Sequence, residues 1–192
     1  MARMKCIGLA STLVIGIIST AQAQYPNSHQ GVYASVGLGY GWAKVACNQC
    51  GESGRTGDLT AFMNIGGAIS QTFLLGGEVT GWSKVTDSND NRAAGTVNGV
   101  VTWYPSAHEG FFIKGGVGFG YLRGDQDTDQ GPIFVSQAGV GYQLGLGYEF
   151  RLERELSVTA VTNFYGGNVG DIGALRNVTF NVLQFMAAIT IY

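Results

Sequence analysis

Between residues 31 and 150, bulky apolar side chains recur at every second position, and glycine fills many of the positions between them. A helix repeats its apolar stripe every three to four residues, so a period of two specifies strands with one large face and one small face. The clearest case is 111–123, where Phe111, Ile113, Val117, Phe119 and Tyr121 oppose Phe112, Lys114, Gly116, Gly118 and Gly120. Polar, Gly- and Asp-rich breaks divide the chain into about eight such segments: 31–45, 59–69, 73–85, 92–104, 111–123, 133–150, 156–165 and 177–192. The seventh alternates less sharply. The eighth is apolar on both faces, which leaves its register open. Short breaks at Ser70, Pro105 and Arg151 take turns with longer ones around Cys47, Asp87, Asp125 and Gly167.

Alternation alone suits a water-soluble barrel such as a lipocalin as well as a membrane barrel, and the charges separate the two. Only 12% of residues are charged, and nearly all of these lie in breaks or at strand ends. Glu78 and Lys114 in mid-strand, and Glu149 near a strand end, all sit on the face opposite the bulky residues. A barrel of about eight strands has an interior just wide enough for side chains to fill, so it has no room for the bulky face. Turned toward lipid, that face meets no such limit, and a Lys or Arg on it at the bilayer midplane would cost about 2–4 kcal/mol. The sequence therefore predicts an all-β fold: a transmembrane antiparallel up-and-down β-barrel of about eight strands. Trp42, Trp103, Tyr104, Tyr121, Tyr148 and Phe150 are expected in its interface girdles. Gly37, Gly39, Gly41, Gly116, Gly118, Gly120, Gly139, Gly141, Gly145 and Gly147 are expected to make room in the lumen for Tyr33, Phe112, Gln143 and the ionic groups. Buried charges need partners, so Lys114 should pair with Glu149 on a neighbouring strand or with Glu78 across the lumen.

The N-terminus reads as a cleaved signal peptide. Arg3 and Lys5 precede an apolar run from Ile7 to Ile18, and Ala21-Gln22-Ala23 follows it. That run falls short of the ~20 residues a membrane helix needs. Cleavage before Gln24 would remove 1–23, Cys6 included, and leave 24–192 as one barrel domain. Short turns then belong on the periplasmic side and long loops outside.

The runs Phe112-Ile113-Lys114-Gly115-Gly116-Val117-Gly118-Phe119-Gly120 and Val140-Gly141-Tyr142-Gln143-Leu144-Gly145-Leu146-Gly147-Tyr148-Glu149-Phe150, with the terminal Tyr192, resemble the outer-membrane β-barrel domain family. That family includes small opacity-type proteins and the membrane part of outer-membrane protein A, and the resemblance spans about the whole mature chain. It implies that Tyr192 is an assembly signal read by the barrel assembly machinery. Leu183, Phe185, Ile189 and Ile191 take the opposite parity from Tyr192 and are more apolar than its own face. The partners expected are outer-membrane lipid, lipopolysaccharide, the assembly machinery and periplasmic chaperones, with an extracellular ligand left unidentified.

Cys47 and Cys50 fall in the first long break of an exported chain. A local disulfide is the reading preferred over free or metal-bound thiols, because no helix follows for a thioredoxin-like site and neither histidine lies in a long loop. Asp125, Asp127 and Asp129 resemble a calcium loop, but Gly131 comes one place late and Ser136 stands where a bidentate Glu belongs. A solvated acidic loop is expected there, with weak divalent-cation binding as the alternative; 86–92 fails the same test at Asn98. The Gly-x-Gly runs open no helix, so they are not nucleotide fingerprints. With thirteen acidic against nine basic residues after the signal, nothing attracts nucleic acid. No cofactor or metal site is expected.

Some eight-stranded barrels modify lipid A, which requires a nucleophile with a histidine base. His29 precedes the first strand and His108 lies in a short turn, neither with a Ser and Asp visibly grouped around it. The expectation is a non-catalytic barrel with a filled lumen and a structural or surface-interaction role; the alternative is a narrow porin-like channel.

Overall fold

The computed structural model describes residues 29–48, 54–84, 92–128, 131–172 and 175–192, with 125–128 and 131–136 as backbone alone. Eight strands follow one another: β1 (Val32–Ala46), β2 (Thr56–Ala68), β3 (Phe73–Lys84), β4 (Arg92–Trp103), β5 (Phe111–Thr128), β6 (Gly131–Arg151), β7 (Leu156–Ile172) and β8 (Leu175–Ile191). Each pairs antiparallel with the next, and β8 returns to β1 through Ala34↔Ile191 to Ala46↔Thr179, which closes the barrel. Closure leaves no sheet edge within the wall.

Three breaks are tight. Ser70 Oγ accepts from the amides of Thr72 and Phe73 at 3.2 and 3.1 Å, a hydroxyl-braced turn between β2 and β3. Pro105 stops β4, and Leu152 and Glu153 each donate to the Leu156 carbonyl to turn β6 into β7. These turns, His29 and Tyr192 share one end of the barrel, here called the short-turn end. The opposite, long-loop end carries the other connections.

Two expected breaks are strand instead. The acidic segment around Asp125 lies largely in a ladder, with Asp125↔Phe134, Asp127↔Pro132 and Thr128↔Gly131 as rungs, so Asp125 and Asp127 belong to β5; Asp129 lies outside the described residues. Gly167 likewise lies within β7, which runs on to Ile172 with register shifts between Asn168 and Ile172. Polarity and glycine mark a turn only where no partner strand is present to accept the backbone, and the neighbouring hairpin strand supplies one in both cases.

Every strand turns its bulky face outward. Leu38 is 70% exposed, Val117 73% and Leu144 62%, while Phe62, Phe112 and Gln143 are buried inside. The open register of β8 resolves with Val178, Phe180, Val182, Gln184, Met186, Ala188 and Thr190 inward and Phe185, Ile189 and Ile191 outward. Trp42, Trp103, Tyr148 and Phe150 stand on the outer wall near the strand ends. Tyr104 does not join them: it lies two residues past inward-facing Thr102, keeps that parity, and is buried at the barrel mouth. An unbroken outer belt of this kind is unlike the surface of a protein that lives in water.

Candidate functional site

The inward glycines set the space available to the lumen. A methyl group at Gly145 would run into the Asn163 side-chain amide, and one at Gly147 would stand 2.5 Å from the Phe112 ring. Into that space the strands deliver three layers.

The middle layer centres on Glu78 of β3. Lys114 Nζ of β5 donates to its Oε2 at 2.7 Å and Oε1 at 2.8 Å, Asn64 of β2 donates at 2.8 Å, and Gln143 of β6 donates at 3.0 Å. Asn98 of β4 holds the Gln143 oxygen at 2.8 Å. With its amide oriented to suit its neighbours, Asn163 of β7 accepts from Lys114 Nζ and from Gln184 Nε2 of β8, both at 3.2 Å. Gln184 also accepts from Thr60 and donates to Thr80 at 3.1 Å. Strands β2 to β8 all contribute, and the Phe62 ring lies 4.6 Å below the ammonium. A buried ion pair is tolerable only when its remaining polar atoms are bonded in this way.

The second layer closes the short-turn end around Glu149 of β6. Tyr104 and Tyr192 donate their hydroxyls to Oε2, each at 2.8 Å, and Ser157 donates to Oε1 at 2.6 Å. Arg151 Nη2 lies 3.3 Å from Oε1 and stacks over Tyr192 at 4.1 Å. Burial, and then the Glu149 charge, pushes the Tyr104 and Tyr192 phenols far up, so both remain O–H donors. His29 Nδ1 lies 3.1 Å from the Gln71 carbonyl, which can only accept, so that nitrogen carries the proton. Its Nε2 faces Glu149 at 3.5 Å. A cavity of about 40 Å³ lies between the two layers, bordered by polar groups of Asn64, Glu78, Lys114 and Glu149 and by the apolar side chains of Phe62, Phe112 and Val161, and it has room for water beside the polar groups.

The third layer, toward the long loops, is apolar. Trp82, Tyr165, Val178, Phe180 and Val182 fill it, with Ala43, Ala94 and Val169 at their edges. Trp82 Nε1 donates to the Gly41 carbonyl at 3.1 Å, which satisfies its one polar atom.

The structure thus brings Lys114 to Glu78 and not to Glu149. The rung opposite Lys114 in β6 is Gly145, and Glu149 lies four residues nearer the short-turn end, beyond a lysine's reach into its own cluster. His29 is not isolated: its ring lies 3.9 Å from that of Tyr104 and its Nε2 faces Glu149, whose other carboxylate oxygen accepts from Ser157, a grouping hidden in the sequence because 120 residues separate His29 from Glu149. Ser157 donates to the carboxylate and His29 to a carbonyl, so the serine hydroxyl is bonded to Glu149 and the His29 proton to Gln71. His108 stays in the β4–β5 turn. Arg151, Tyr104 and Trp82 are further lumen residues that sequence reasoning did not assign inward; the parity of Trp82 with Glu78 and Thr80 was the available signal. Tyr192 sits at the mouth against Tyr33 and His29.

Cys47 follows β1 and packs beside the apolar layer, while Asn48 N donates to the Arg176 carbonyl at 3.1 Å. Cys50, and Ala21, Ala23 and Gln24 at the expected cleavage site, lie outside the described residues, as does most of 86–92. Among the described residues no group of three metal-ligating side chains forms.

No family model matches the chain, and no curated protein matches its sequence. Solved structures match its fold. Neisserial surface protein A superposes with a TM-score of 0.60 at 13% identity, covering 84% of this chain and 96% of that one. The attachment invasion locus protein of Yersinia pestis superposes at 0.58 and 12% identity, covering 84% and 99%. A closed antiparallel barrel of eight strands with an apolar outer wall and a side-chain-filled lumen is the fold of the small outer-membrane β-barrels, and this chain has it.

Proposed function

We propose that the protein is an integral outer-membrane barrel whose role is structural or surface-interacting, carried by the long-loop end and not by transport or catalysis. The observation behind this is the pairing of a lipid-suited outer wall with a lumen packed in three layers, which leaves the long-loop end as the part able to meet other molecules. In this reading 1–23 is removed before Gln24, the short-turn end lies in the periplasm and lipopolysaccharide surrounds the outer half of the wall. Periplasmic chaperones deliver the chain and the assembly machinery reads Tyr192. A disulfide between Cys47 and Cys50 braces the first long loop. The names of the two similar barrels, one a surface protein and one an attachment protein, accord with such a role.

Proteolysis of intact cells with mass mapping of the cut sites tests it. Cuts confined to 47–55, 85–91, 124–137 and 168–178 are expected, and cuts in 69–72, 104–110 or 152–155 would reverse the orientation. Planar-bilayer recording tests the closed lumen: stable large conductance steps would replace this reading with that of a pore.

A further inference from the structure

Two cations meet on the outer wall where β1, β2 and β8 approach the long-loop end. Lys44 of β1 keeps the outward parity of Tyr40 and Trp42. Arg55, just ahead of β2, donates from Nη1 to the Trp42 carbonyl at 3.3 Å and from Nη2 to Asn181 Oδ1 of β8 at 3.1 Å, so its guanidinium reaches across β1. Asn181 is also the rung partner of Lys44. Both basic residues therefore flank one amide. Among the described residues no carboxylate pairs with either of them: Asp58 has the inward parity of Thr60, and its Oδ1 accepts from the Leu59 amide at 2.7 Å. Neighbouring like charges repel, and the two bonds of Arg55 go to neutral acceptors and use two of its five donors.

Below the cations the wall is aromatic and then hollow. Trp42 meets Tyr40 edge-on at 5.2 Å and Phe185 of β8 at 5.9 Å. The Tyr40 hydroxyl leans toward the cations, over Gly57, where a methyl group would stand 2.6 Å from it. Phe185 is in turn one bank of a groove of about 320 Å³ in the outer face, with Phe111, Leu146 and Tyr148 on the far side and Ala160 and Thr162 of β7 between. The groove is open because β7 and β8 place small residues opposite each other there, at the rung Ala160↔Ala187. Six residues of β8 separate Asn181 from Ala187, about 20 Å at ~3.3 Å per residue. On a strand tilted by about 40° that is a depth of roughly 15 Å, or half of the ~30 Å hydrocarbon core. Cations, aromatic step and groove thus span one leaflet.

We propose that Lys44 and Arg55 hold a phosphate of lipid A, the phosphorylated glycolipid anchor of lipopolysaccharide, and that one of its acyl chains runs over Phe185 into the groove at Ala160. This rests on the reading in which the long-loop end faces outward, and it gives the surrounding lipid one specific seat. Charge selects the occupant. A phosphate brings the negative charge and the several acceptor oxygens that an arginine fork and a neighbouring ammonium can share, and such bonds are charge-assisted. The groove below takes only an apolar chain, and a lipid joins the two in one molecule. A second copy fits less well: an isologous contact on this face would set the Lys44 and Arg55 of both copies together.

Native mass spectrometry of the mature chain, refolded in detergent micelles and titrated with lipid, tests the seat. The probes are lipid A, the same lipid A with its phosphates removed, and phosphatidylglycerol. Lipid A should be retained one to one, and the other two only at much higher concentration. Lys44→Gln with Arg55→Gln should raise the lipid A concentration for half-occupancy at least about tenfold. Lys44→Arg, which keeps the charge, should bind as the native chain does, and so should Arg176→Gln, which removes a charge from the same end but not from the seat. Ala160→Phe fills the groove, leaves both cations in place and should weaken binding about tenfold, since each CH₂ shut out of an apolar site is worth nearly a factor of four. The proposal is overturned if dephosphorylated lipid A or phosphatidylglycerol binds as lipid A does, if the double variant or Ala160→Phe binds unchanged, or if Arg176→Gln loses as much as the double variant. Proteolysis of intact cells decides the orientation separately: long loops found in the periplasm would undo the reading beneath the proposal without altering any of these affinities.

Discussion

Both halves of the lumen pack apolar side chains, but only the half toward the short turns, where Tyr33, Phe62, Leu74, Phe112 and Met186 cluster, also buries charge. Toward the long loops Trp82, Tyr165, Val178, Phe180 and Val182 pack as an apolar plug, while toward the short turns two carboxylates, Glu78 and Glu149, are each ringed by donors. The same glycine-lined wall holds both. An apolar plug loses stability roughly in proportion to the volume removed. A buried polar cluster fails by charge: removing one member leaves another without a partner, at a cost unrelated to size.

The sharpest way to break this contrast is at the ion pair. Lys114→Met conserves most of the volume but strands the Glu78 carboxylate among amides, and should cost about 3–5 kcal/mol in urea unfolding of the lipid-reconstituted barrel. Adding Glu78→Gln should recover most of that loss. Equal midpoints for the single and double variants would mean that Lys114 acts by packing, and the two halves would then obey one rule.

In the plug, Phe180→Ala should cost about 3 kcal/mol by leaving a cavity. A methyl group at Gly120 would lie 3.2 Å from the Phe180 ring and from Gly167 Cα, so Gly120→Ala alone should crowd this layer. In the Phe180→Ala background, the same Gly120→Ala change should cost less than it does alone. Additive losses in a double-mutant cycle would show that Phe180 does not fill the space that Gly120 leaves.

At the short-turn end the effect shrinks to a single hydroxyl. Tyr192→Phe retains the ring against Tyr33 and His29 but removes one of the donors to Glu149, and should cost about 1–2 kcal/mol. The aromatic ring that the assembly machinery is proposed to read is unchanged, so the yield of folded barrel in cells should hold while the unfolding midpoint falls. A fall in yield alone would assign Tyr192 to assembly and not to the Glu149 cluster.

Much of the architecture was legible because barrel strands have a period that sequence displays directly. Val117 outward and Phe112 inward follow from counting by two. What sequence could not give was any relation fixed by register between distant strands. Whether Lys114 meets Glu78 or Glu149 depends on the rungs Thr102↔Lys114 and Lys114↔Gly145 and on the lumen's width, and none of these is written in the local pattern. His29 precedes the first strand, where periodicity says nothing, so its place beside Glu149 was out of reach. The β8 register was unreadable for another reason: its inward residues Val178, Phe180 and Val182 belong to the apolar plug, so both faces of that strand look like a lipid wall.

Outside the lumen, the β7–β8 tip offers an exposed counterpart to the buried ion pair, and the smallest expected effect. Asp171 accepts from the Asn177 amide at 2.8 Å and from Arg176 Nη1 at 2.5 Å, with both charged side chains about half or more exposed. Asn177 has φ 53°, a left-handed conformation that Asn tolerates, and it turns its amide back toward the carboxylate. The Asn177 amide first, and Arg176 second, hold the Asp171 carboxyl below its ordinary range. Since the folded tip has the lower pKa, its contribution is complete above the ordinary carboxylate range of about 4 and is lost as pH falls through the depressed value. Acid should therefore loosen the tip, seen as faster exchange of the Asn177 amide. Arg176→Gln should move that titration upward slightly and leave the unfolding midpoint unchanged, because an exposed pair contributes little once solvent and salt screen it. A drop in midpoint comparable to that of Lys114→Met would show that burial is not what separates the two pairs.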